Sequence, residues 1–361
     1  MSHDVFPSSS DVAAATADLR ERHRQLLASS NGRMRARDAA RALGVTEGAL
    51  LAAWVGDTVT PLRGDCEAIL LQVGTLGRVM ALTRNAFCVH ERKGVYRNLS
   101  FGNGIGLAVG EEIDLRLFMK HWRHAFAVVE ARGDGVARSL QFFDARGDAV
   151  HKVHLLEESD VAAFDRIVET FSAADIVPAF GELGADGVGG RGLPAGFDAE
   201  AFRAGWDALR DTHDFNPLLK RHGVHRLDAF EVARGERAAR IELRAYREAL
   251  AAARDQALSI MVFVGNAGCI QIHTGPVHNL KEMGDWYNVL DPAFNLHLLE
   301  TGIAEAWRVR KPTRDGVVTS LELFDADGRP LMMLFGARKP GKPENGVWRE
   351  IAESSVDGVA A

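Results

Sequence analysis

The amino-acid sequence repeats itself at one fixed offset. Residues 85–88 (Asn-Ala-Phe-Cys) recur as residues 266–269 (Asn-Ala-Gly-Cys), which is 266 minus 85, or 181 residues, later. The same offset aligns further short matches without a gap: residues 115–117 with 296–298, 134–136 with 315–317, 143–145 with 324–326, and Gly147 with Gly328. Chance similarity between β-rich stretches would scatter over several offsets. One offset held over residues 85–152 therefore indicates a gene duplication.

The length of the chain agrees with two repeated modules. With 361 residues it exceeds the size at which a single hydrophobic core usually stops growing. Hydrophobic residues make up 47% and charged residues 25%, which is ordinary for a folded protein, so each half can form a core. We expect a polar tail and first helix over residues 1–30, a first module over 31–180, a glycine-rich linker over 181–196 and a second module over 197–361.

Within each copy the sequence pattern indicates helices followed by strands. Helical spacing with few breakers predicts helices over residues 16–29, 36–55 and 216–222. Residues that favour β-structure predict strands over 68–72, 79–82, 87–91 and 139–144. Glycine at the end of 144–147 and 325–328 suits hairpin turns. Helices kept apart from runs of strands indicate an α+β fold, in which each of two tandem modules has N-terminal helices and a large antiparallel β-sheet.

Charge, cysteine content and hydropathy argue against several classes of protein. The formal net charge of -6 gives little electrostatic support for general nucleic-acid binding. The three cysteines, Cys66, Cys88 and Cys269, are far apart and form no CxxC pair, which fits a reducing compartment. No apolar stretch approaches the roughly 20 residues of a membrane-spanning helix, and the polar N-terminus is unlike a secretory signal. We expect a cytoplasmic protein that does not insert into a membrane.

Three neighbouring blocks of the second half carry a family resemblance. Residues 212–215 (Thr-His-Asp-Phe), 218–222 (Leu-Leu-Lys-Arg-His) and 226–230 (Arg-Leu-Asp-Ala-Phe) resemble the bacterial hemin-transport and hemin-degrading factors, the HmuS type of protein. Further similar blocks lie at residues 85–91, 113–118, 139–153, 260–266, 303–307 and 321–324. The similarity spans nearly all of the chain after the first thirty or so residues.

The resemblance implies a haem site between the two halves. It implies that His213 is the axial ligand to the haem iron and that Arg116 approaches the opposite face from the other module. From spacing alone His213 would be a helix-capping or solvent-exposed residue, because no metal-binding motif surrounds it. His90 is a further histidine near the repeated block, but its counterpart is Gln271, and we do not expect a second haem site there.

The same resemblance assigns the surroundings of the haem. It implies basic positions at Arg226, Lys311 and Arg338 and an apolar wall at Phe263. Phe335 stands where relatives commonly have tyrosine, so a hydroxyl hydrogen bond is missing here. A haem site needs apolar walls and cations for the two propionates, which these residue types supply. Without the resemblance, the same residues would be ordinary core and surface positions.

The function implied by the resemblance is haem handling during iron acquisition. Such a protein would accept haem from an inner-membrane importer and carry it to an acceptor such as a haem oxygenase. An enzyme would instead oxidise the haem and release iron, with Arg116 as a distal residue that stabilises bound oxygen. The sequence leaves carrier and enzyme open, assigns no other catalytic residue, and is compatible with a homodimer.

A DNA-binding regulator is the alternative from another class. Residues 35–50 resemble a helix-turn-helix with Gly44 in the turn. Residues 220–230 repeat this pattern in the second copy, with Gly223 matching Gly44. A helix pair present in both modules is explained more economically as part of the scaffold. The acidic chain also gives little electrostatic support for DNA binding.

Overall fold

The computed structural model describes residues 9–30, 34–63, 65–173, 178–181, 190–338 and 341–356, with side chains from residue 14 onward. Half of the predicted linker, residues 182–189, lies outside the described residues. The helices in this part of the chain are α1 (Ser9–Ser29), α2 (Ala36–Leu43), α3 (Glu47–Ala52), α4 (Cys66–Val73), α5 (Val161–Phe171), α6 (Ala199–Asp207), α7 (Phe215–His222), α8 (Arg226–Val232), α9 (Ala245–Asp255) and α10 (Gly346–Ser354). None of them combines the length and the apolar character that crossing a bilayer requires.

The strands follow the repeat closely. Those of the first half are β1 (Val59–Leu62), β2 (Arg78–Arg84), β3 (Cys88–Val95), β4 (Leu99–Gly102), β5 (Ile105–Val109), β6 (Asp114–Phe118), β7 (His124–Arg132), β8 (Gly135–Phe143) and β9 (Ala149–Leu155). Those of the second half are β10 (Ala238–Arg240), β11 (Ile260–Gly265), β12 (Cys269–Gly275), β13 (Leu280–Met283), β14 (Trp286–Leu290), β15 (Phe294–Leu299), β16 (Glu305–Thr313), β17 (Gly316–Phe324) and β18 (Pro330–Gly336). The bounds of β16, β17 and β18 are those of β7, β8 and β9 shifted by 181, so the structure confirms the duplicated α+β fold.

Each sheet contains strands from both halves of the chain. The first sheet has the order β1-β7-β8-β9-β2-β3-β15-β14-β13, and the second has the order β10-β16-β17-β18-β11-β12-β6-β5-β4. The halves thus exchange three strands each. The sequence could not reveal this exchange, because equivalent strands carry similar alternations of apolar residues and pair equally well with either copy.

The hydrophobic core lies between the two sheets. Cys88 of β3 packs with Val262 of β11, and Cys269 of β12 packs with Ala81 of β2. We call the faces that meet here the inner faces, and helices α4, α5, α9 and α10 extend the same core clusters. The opposite, outer faces are covered in part by helices. Helices α6, α7 and α8 pack on the second sheet and α3 lies beside the first sheet.

One predicted strand is wrong. Residues 68–72 lie in helix α4, whose N-cap Asp65 accepts a hydrogen bond from the Ala68 N–H. A short apolar run does not distinguish a buried strand from a buried helix, and here the capping carboxylate favours the helix. The predicted helix over residues 36–55 is interrupted at Gly44, where φ is 72°, and forms α2 and α3. The other predicted strands overlap β2, β3 and β8.

The repeated asparagine explains why the Asn-Ala-x-Cys motif recurs. The Oδ1 atom of Asn266 accepts hydrogen bonds from the N–H groups of Gly268 and Cys269, which shapes its own turn. Its Nδ2 atom donates to the carbonyl oxygens of Arg84 and Val150, each at 2.9 Å, in the other half. Asn85 makes the reciprocal bonds to Leu331 and Gly265. The two side chains therefore fasten the halves together.

Replacing Asn266 by alanine should lower the free energy of unfolding by about 2 kcal/mol, because partly buried backbone groups lose their partners. Urea unfolding followed by circular dichroism would measure the change. The exposed Asn216 in α7 provides the control, since its replacement by alanine should change stability little. Equal stabilities of the two variants would contradict the clamping role.

Candidate functional site

The outer face of the second sheet brings most of the candidate residues onto one surface. Directly opposite residues of antiparallel strands point to the same face. Arg116 lies opposite Ile270, and Phe263 lies opposite Met333. Glu322 lies opposite Met333 on the next strand. Because side chains alternate along a strand, Phe335 and Lys311 point to this same face.

Two phenylalanines form the apolar floor of this surface. The rings of Phe263 and Phe335 lie 4.9 Å apart between centroids, and both side chains are half-buried. A cavity of about 800 Å³ begins at Phe263, Ile270 and Met333 and extends toward the first half, where Arg37 and Arg84 are among its lining residues. An apolar floor beside cationic groups suits a flat apolar ligand that carries negative charges.

His213 lies in the short 3-10 turn Thr212–Asp214 between α6 and α7, beside β16. Its side chain is 85% exposed, and its Nδ1 atom lies 2.6 Å from a carboxylate oxygen of Asp211. The backbone N–H of His213 lowers the pKa of Asp211, so this carboxylate stays ionised. An N–H at Nδ1 that donates to a carboxylate leaves Nε2 as the metal-binding nitrogen and fixes the ring. The sequence interpretation missed Asp211, although its spacing two residues before His213 was visible.

Two of the predicted basic residues meet at a buried carboxylate. Lys311 Nζ lies 2.8 Å from Glu322 Oε1, and Arg226 Nε lies 2.8 Å from Glu322 Oε2. Glu322 is fully buried, which by itself would raise its pKa, but Arg226 and Lys311 outweigh burial and lower the pKa to about 2. Burial lowers the pKa of Lys311 to about 8. The cluster therefore holds one negative and two positive charges at neutral pH.

The cationic cluster adjoins both the histidine turn and the cavity. Phe215, two residues after His213, has its ring centroid 5.1 Å from the Arg226 guanidinium carbon and 5.0 Å from Lys311 Nζ. Arg226 Nη2 also lies 3.9 Å from the sulfur of Met333, which lines the cavity. Arg226 thus lies between Phe215 and the cavity wall at Met333, and Lys311 lies on the same Phe215 ring. Glu322, Phe215 and Met333 were not among the residues assigned from sequence.

The two remaining candidates lie at the edges of this surface. Arg338 is close enough to Asp211 to help lower the pKa of that carboxyl group, and its Nη1 atom is 4.0 Å from Asp315 Oδ2. Arg116 lies two strands from Phe263, which corresponds to about 10 Å at the usual strand spacing. Its guanidinium is paired with Asp114. His213 and Arg116 thus flank the phenylalanine floor from opposite sides without touching each other.

His90 and the helix-turn-helix-like segment, the two other regions singled out in the sequence, are both packed against the sheets. His90 is fully buried on the inner face of the first sheet, with its ring 4.9 Å from Phe294 between centroids. The helix-turn-helix-like segment forms α2 and α3, and the first turn of α3 is buried at Glu47, whose carboxylate pairs with Arg84 and Lys152. Helix α3 therefore packs against its own sheet.

Known proteins are similar to this chain over nearly its whole length. The family model described as the haemin-degrading HemS.ChuX domain matches the chain twice, over residues 44–171 and 223–354. Hemin transport protein HemS of Yersinia enterocolitica is 39% identical over 345 residues, which cover 94% of this chain and 98% of that protein. Holo-PhuS, a heme-binding protein from Pseudomonas aeruginosa, has 51% identity and a TM-score of 0.90, covering 94% of this chain and 99% of its own. ChuS, a heme degrading enzyme of Escherichia coli O157:H7, has 35% identity and a TM-score of 0.87 with the same coverage.

Proposed function

The chain belongs to the family of the haemin-degrading HemS.ChuX domain, and from this we propose that it binds haem on the outer face of the second sheet with His213 as the axial ligand. One observation carries the proposal. The exposed His213 imidazole is oriented by Asp211, and the cationic cluster that contacts Phe215, two residues further on, reaches the apolar cavity wall at Met333. An axial nitrogen, an apolar contact surface and cations for carboxylates are what a haem requires of a protein.

The residues divide the binding between them. His213 supplies the nitrogen ligand, while Phe263 and Phe335 contact the apolar ring. Arg226, Lys311 and Arg338 lie where they favour the negative propionates, and Arg116 stands on the side opposite His213. Bound haem supplies an iron centre that exchanges axial ligands and reacts with oxygen. The protein's own part is to orient this group and to balance its charges.

The cellular role that we propose is the transfer of imported haem inside the cytoplasm. The hemin transport protein HemS and the heme-binding protein PhuS support a carrier, which accepts haem from an inner-membrane importer and delivers it to an acceptor such as a haem oxygenase. The heme degrading enzyme ChuS, together with Arg116 on the side opposite His213, supports oxidative degradation as the second candidate function. A homodimer would be compatible with either role.

Titration of the purified protein with hemin, followed by visible spectroscopy, tests the proposal. We expect a saturable Soret band at one haem per chain. Ascorbate added to this complex in the presence of catalase separates the two roles, because an enzyme should bleach the band to a defined tetrapyrrole product, whereas a carrier should retain it until an acceptor is added. A spectrum that never saturates would rule out haem binding.

Replacing Asp211 by asparagine should weaken haem binding by about tenfold, because outer partners of metal ligands typically contribute 10- to 100-fold to metal affinity. The neutral amide no longer stabilises the Nδ1–H form of His213 as strongly as the carboxylate does. Hemin titration measures the change. Asp207→Asn serves as the control, since Asp207, the last residue of α6, pairs with Arg237 and not with His213. An equal loss in both variants would contradict the orienting role of Asp211.

A further inference from the structure

Each outer face carries a buried group of one glutamate, one arginine and one lysine. We call Glu47, Arg84 and Lys152 the first triad, and Glu322, Arg226 and Lys311 the second triad. The charge that the helix contributes to its triad is opposite in the two copies. Helix α3 begins with Glu47 after its N-cap Thr46, whereas the equivalent helix α8 begins with Arg226 after its N-cap His225. Both modules thus have an ion pair between helix and sheet. The helix supplies the anion in the first module and a cation in the second.

The fold does not itself require a carboxylate at position 322. The residue 181 positions earlier is Gln141, which is also buried, and its Nε2 atom donates to Ser139 Oγ at 3.0 Å. Ser139 is in turn the counterpart of Ser320, whose hydroxyl donates to Glu322 Oε1 at 2.8 Å. The same pair of strands therefore accommodates an amide in one copy and a carboxylate in the other. The carboxylate belongs to the second module alone.

Glu322 pairs with the same two cations that a ligand carboxylate would pair with. Its Oε2 atom is 2.8 Å from Arg226 Nε and 2.7 Å from Arg226 Nη2, and its Oε1 atom is 2.8 Å from Lys311 Nζ. The Arg226 and Lys311 side chains are only 17% and 4% exposed. At low exposure a charge interacts strongly with every nearby charge, because little solvent screens it. A propionate approaching past Met333 must share both cations with Glu322.

We propose that Glu322 competes with the carboxylates of the bound haem for Arg226 and Lys311, and that this competition sets how fast the site releases its ligand. The inference rests on the proposed function, since it concerns the same site. A protein that passes its ligand on needs a finite dissociation rate, and an internal carboxylate provides one without altering the axial ligand. Glu322 is in this sense a positioning residue, because it acts through the two cations.

The Glu322→Gln variant tests the proposal. Haem transfer from the loaded protein to excess apomyoglobin should be about tenfold slower than in the wild type, because lost competition at a buried charge pair acts mainly on dissociation. Haem dimethyl ester, which has no ionised carboxylate, should leave the wild type and the variant at equal rates. Unchanged or faster haem release in the variant, or equal slowing with the ester, would overturn the inference.

Two comparisons keep the result interpretable. Glu300→Gln removes another carboxylate that pairs with an arginine, Arg247 of α9, away from the proposed haem site, and should leave haem release unchanged. If Glu322→Gln fails to fold, Lys311→Met is compared with the double variant Glu322→Gln/Lys311→Met, where release should again slow when the carboxylate is removed. A wild type that gives no saturable Soret band defeats the proposed function itself, whereas normal haem binding without slower release defeats only the role of Glu322.

Discussion

Replacing His213 by alanine should reduce haem affinity by at least about 100-fold and shift or abolish the Soret band of the complex. Loss of an outer partner already costs about 10- to 100-fold in metal affinity, and loss of the ligand should cost no less. The remaining contacts at Phe263 and Arg226 retain a weak, poorly oriented complex through apolar burial and charge. Hemin titration and the visible spectrum of the ferric complex measure both effects.

Two features of His213 make this experiment specific. Its side chain is 85% exposed and its ring is hydrogen-bonded to Asp211, so its removal should leave thermal stability unchanged. His278 is another exposed histidine, on the segment between β12 and β13, and His278→Ala should bind haem as the wild type does. An unaltered Soret band in His213→Ala would place the axial ligand elsewhere.

The duplication was the part of the fold that the sequence revealed most directly. Short matches at one offset located equivalent strands to within a residue, because β7, β8 and β9 are copied as β16, β17 and β18 without insertion. The partner of each strand could not be obtained in the same way. Exchange of three strands between the sheets depends on contacts such as those of Asn85 and Asn266, which join residues about 180 positions apart.

At the candidate site, too, the sequence pointed to individual residues but not to contacts between residues far apart in the chain. The resemblance pointed to His213 and to the basic positions, and the structure adds the side chains that surround each of them. The resemblance did not point to Glu322, because a glutamate in a strand carries no local signal of burial between two cations. Only the comparison of Glu322 with Gln141 across the repeat marks the position as different in the two copies. Asp211, by contrast, is a local partner that spacing alone could have suggested.

The helix-turn-helix-like segment packs on a sheet in the first module, as its counterpart does in the second. Residues 35–50 do form two helices with Gly44 in the left-handed conformation between them. The first turn of α3 is buried, and Glu47 is fixed to the sheet by Arg84 and Lys152. A helix that reads DNA must present its side chains to a groove. The segment instead acts as the cover of an outer face, as α7 and α8 do in the second module.

The interface between the two sheets contains buried histidines that link stability to pH. His151 accepts or donates hydrogen bonds at both ring nitrogens, with Thr83 Oγ1 at 2.8 Å and Tyr96 Oη at 2.6 Å. The His273 ring stacks parallel to Phe294 with centroids 3.8 Å apart. Burial lowers the pKa of His151 to about 3 and that of His273 to about 4. Both rings are therefore neutral in the folded protein at every pH above these values.

The sign of the pH dependence follows from these lowered pKa values. Below the ordinary histidine pKa of 6.5, the unfolded chain binds protons that the folded protein does not, so stability present above pH 6.5 is lost as the pH falls. One pKa unit corresponds to about 1.36 kcal/mol, so at pH 5 each histidine costs about 2 kcal/mol. His151 and His273 together should lower the free energy of unfolding by about 4 kcal/mol between pH 7.5 and pH 5.

Replacing His273 by phenylalanine should remove about half of this loss. The phenyl ring can retain the stacking against Phe294 but takes up no proton, so the variant should lose about 2 kcal/mol less than the wild type between pH 7.5 and pH 5. Urea unfolding at the two pH values measures the difference, and His278→Ala supplies an exposed histidine variant for comparison. If His273→Phe lost as much free energy of unfolding as the wild type between the two pH values, protonation of His273 would not be a cause of the acid destabilisation. The expected halving would instead assign part of the acid destabilisation to the interface between the two sheets, where the exchanged strands hold the halves together.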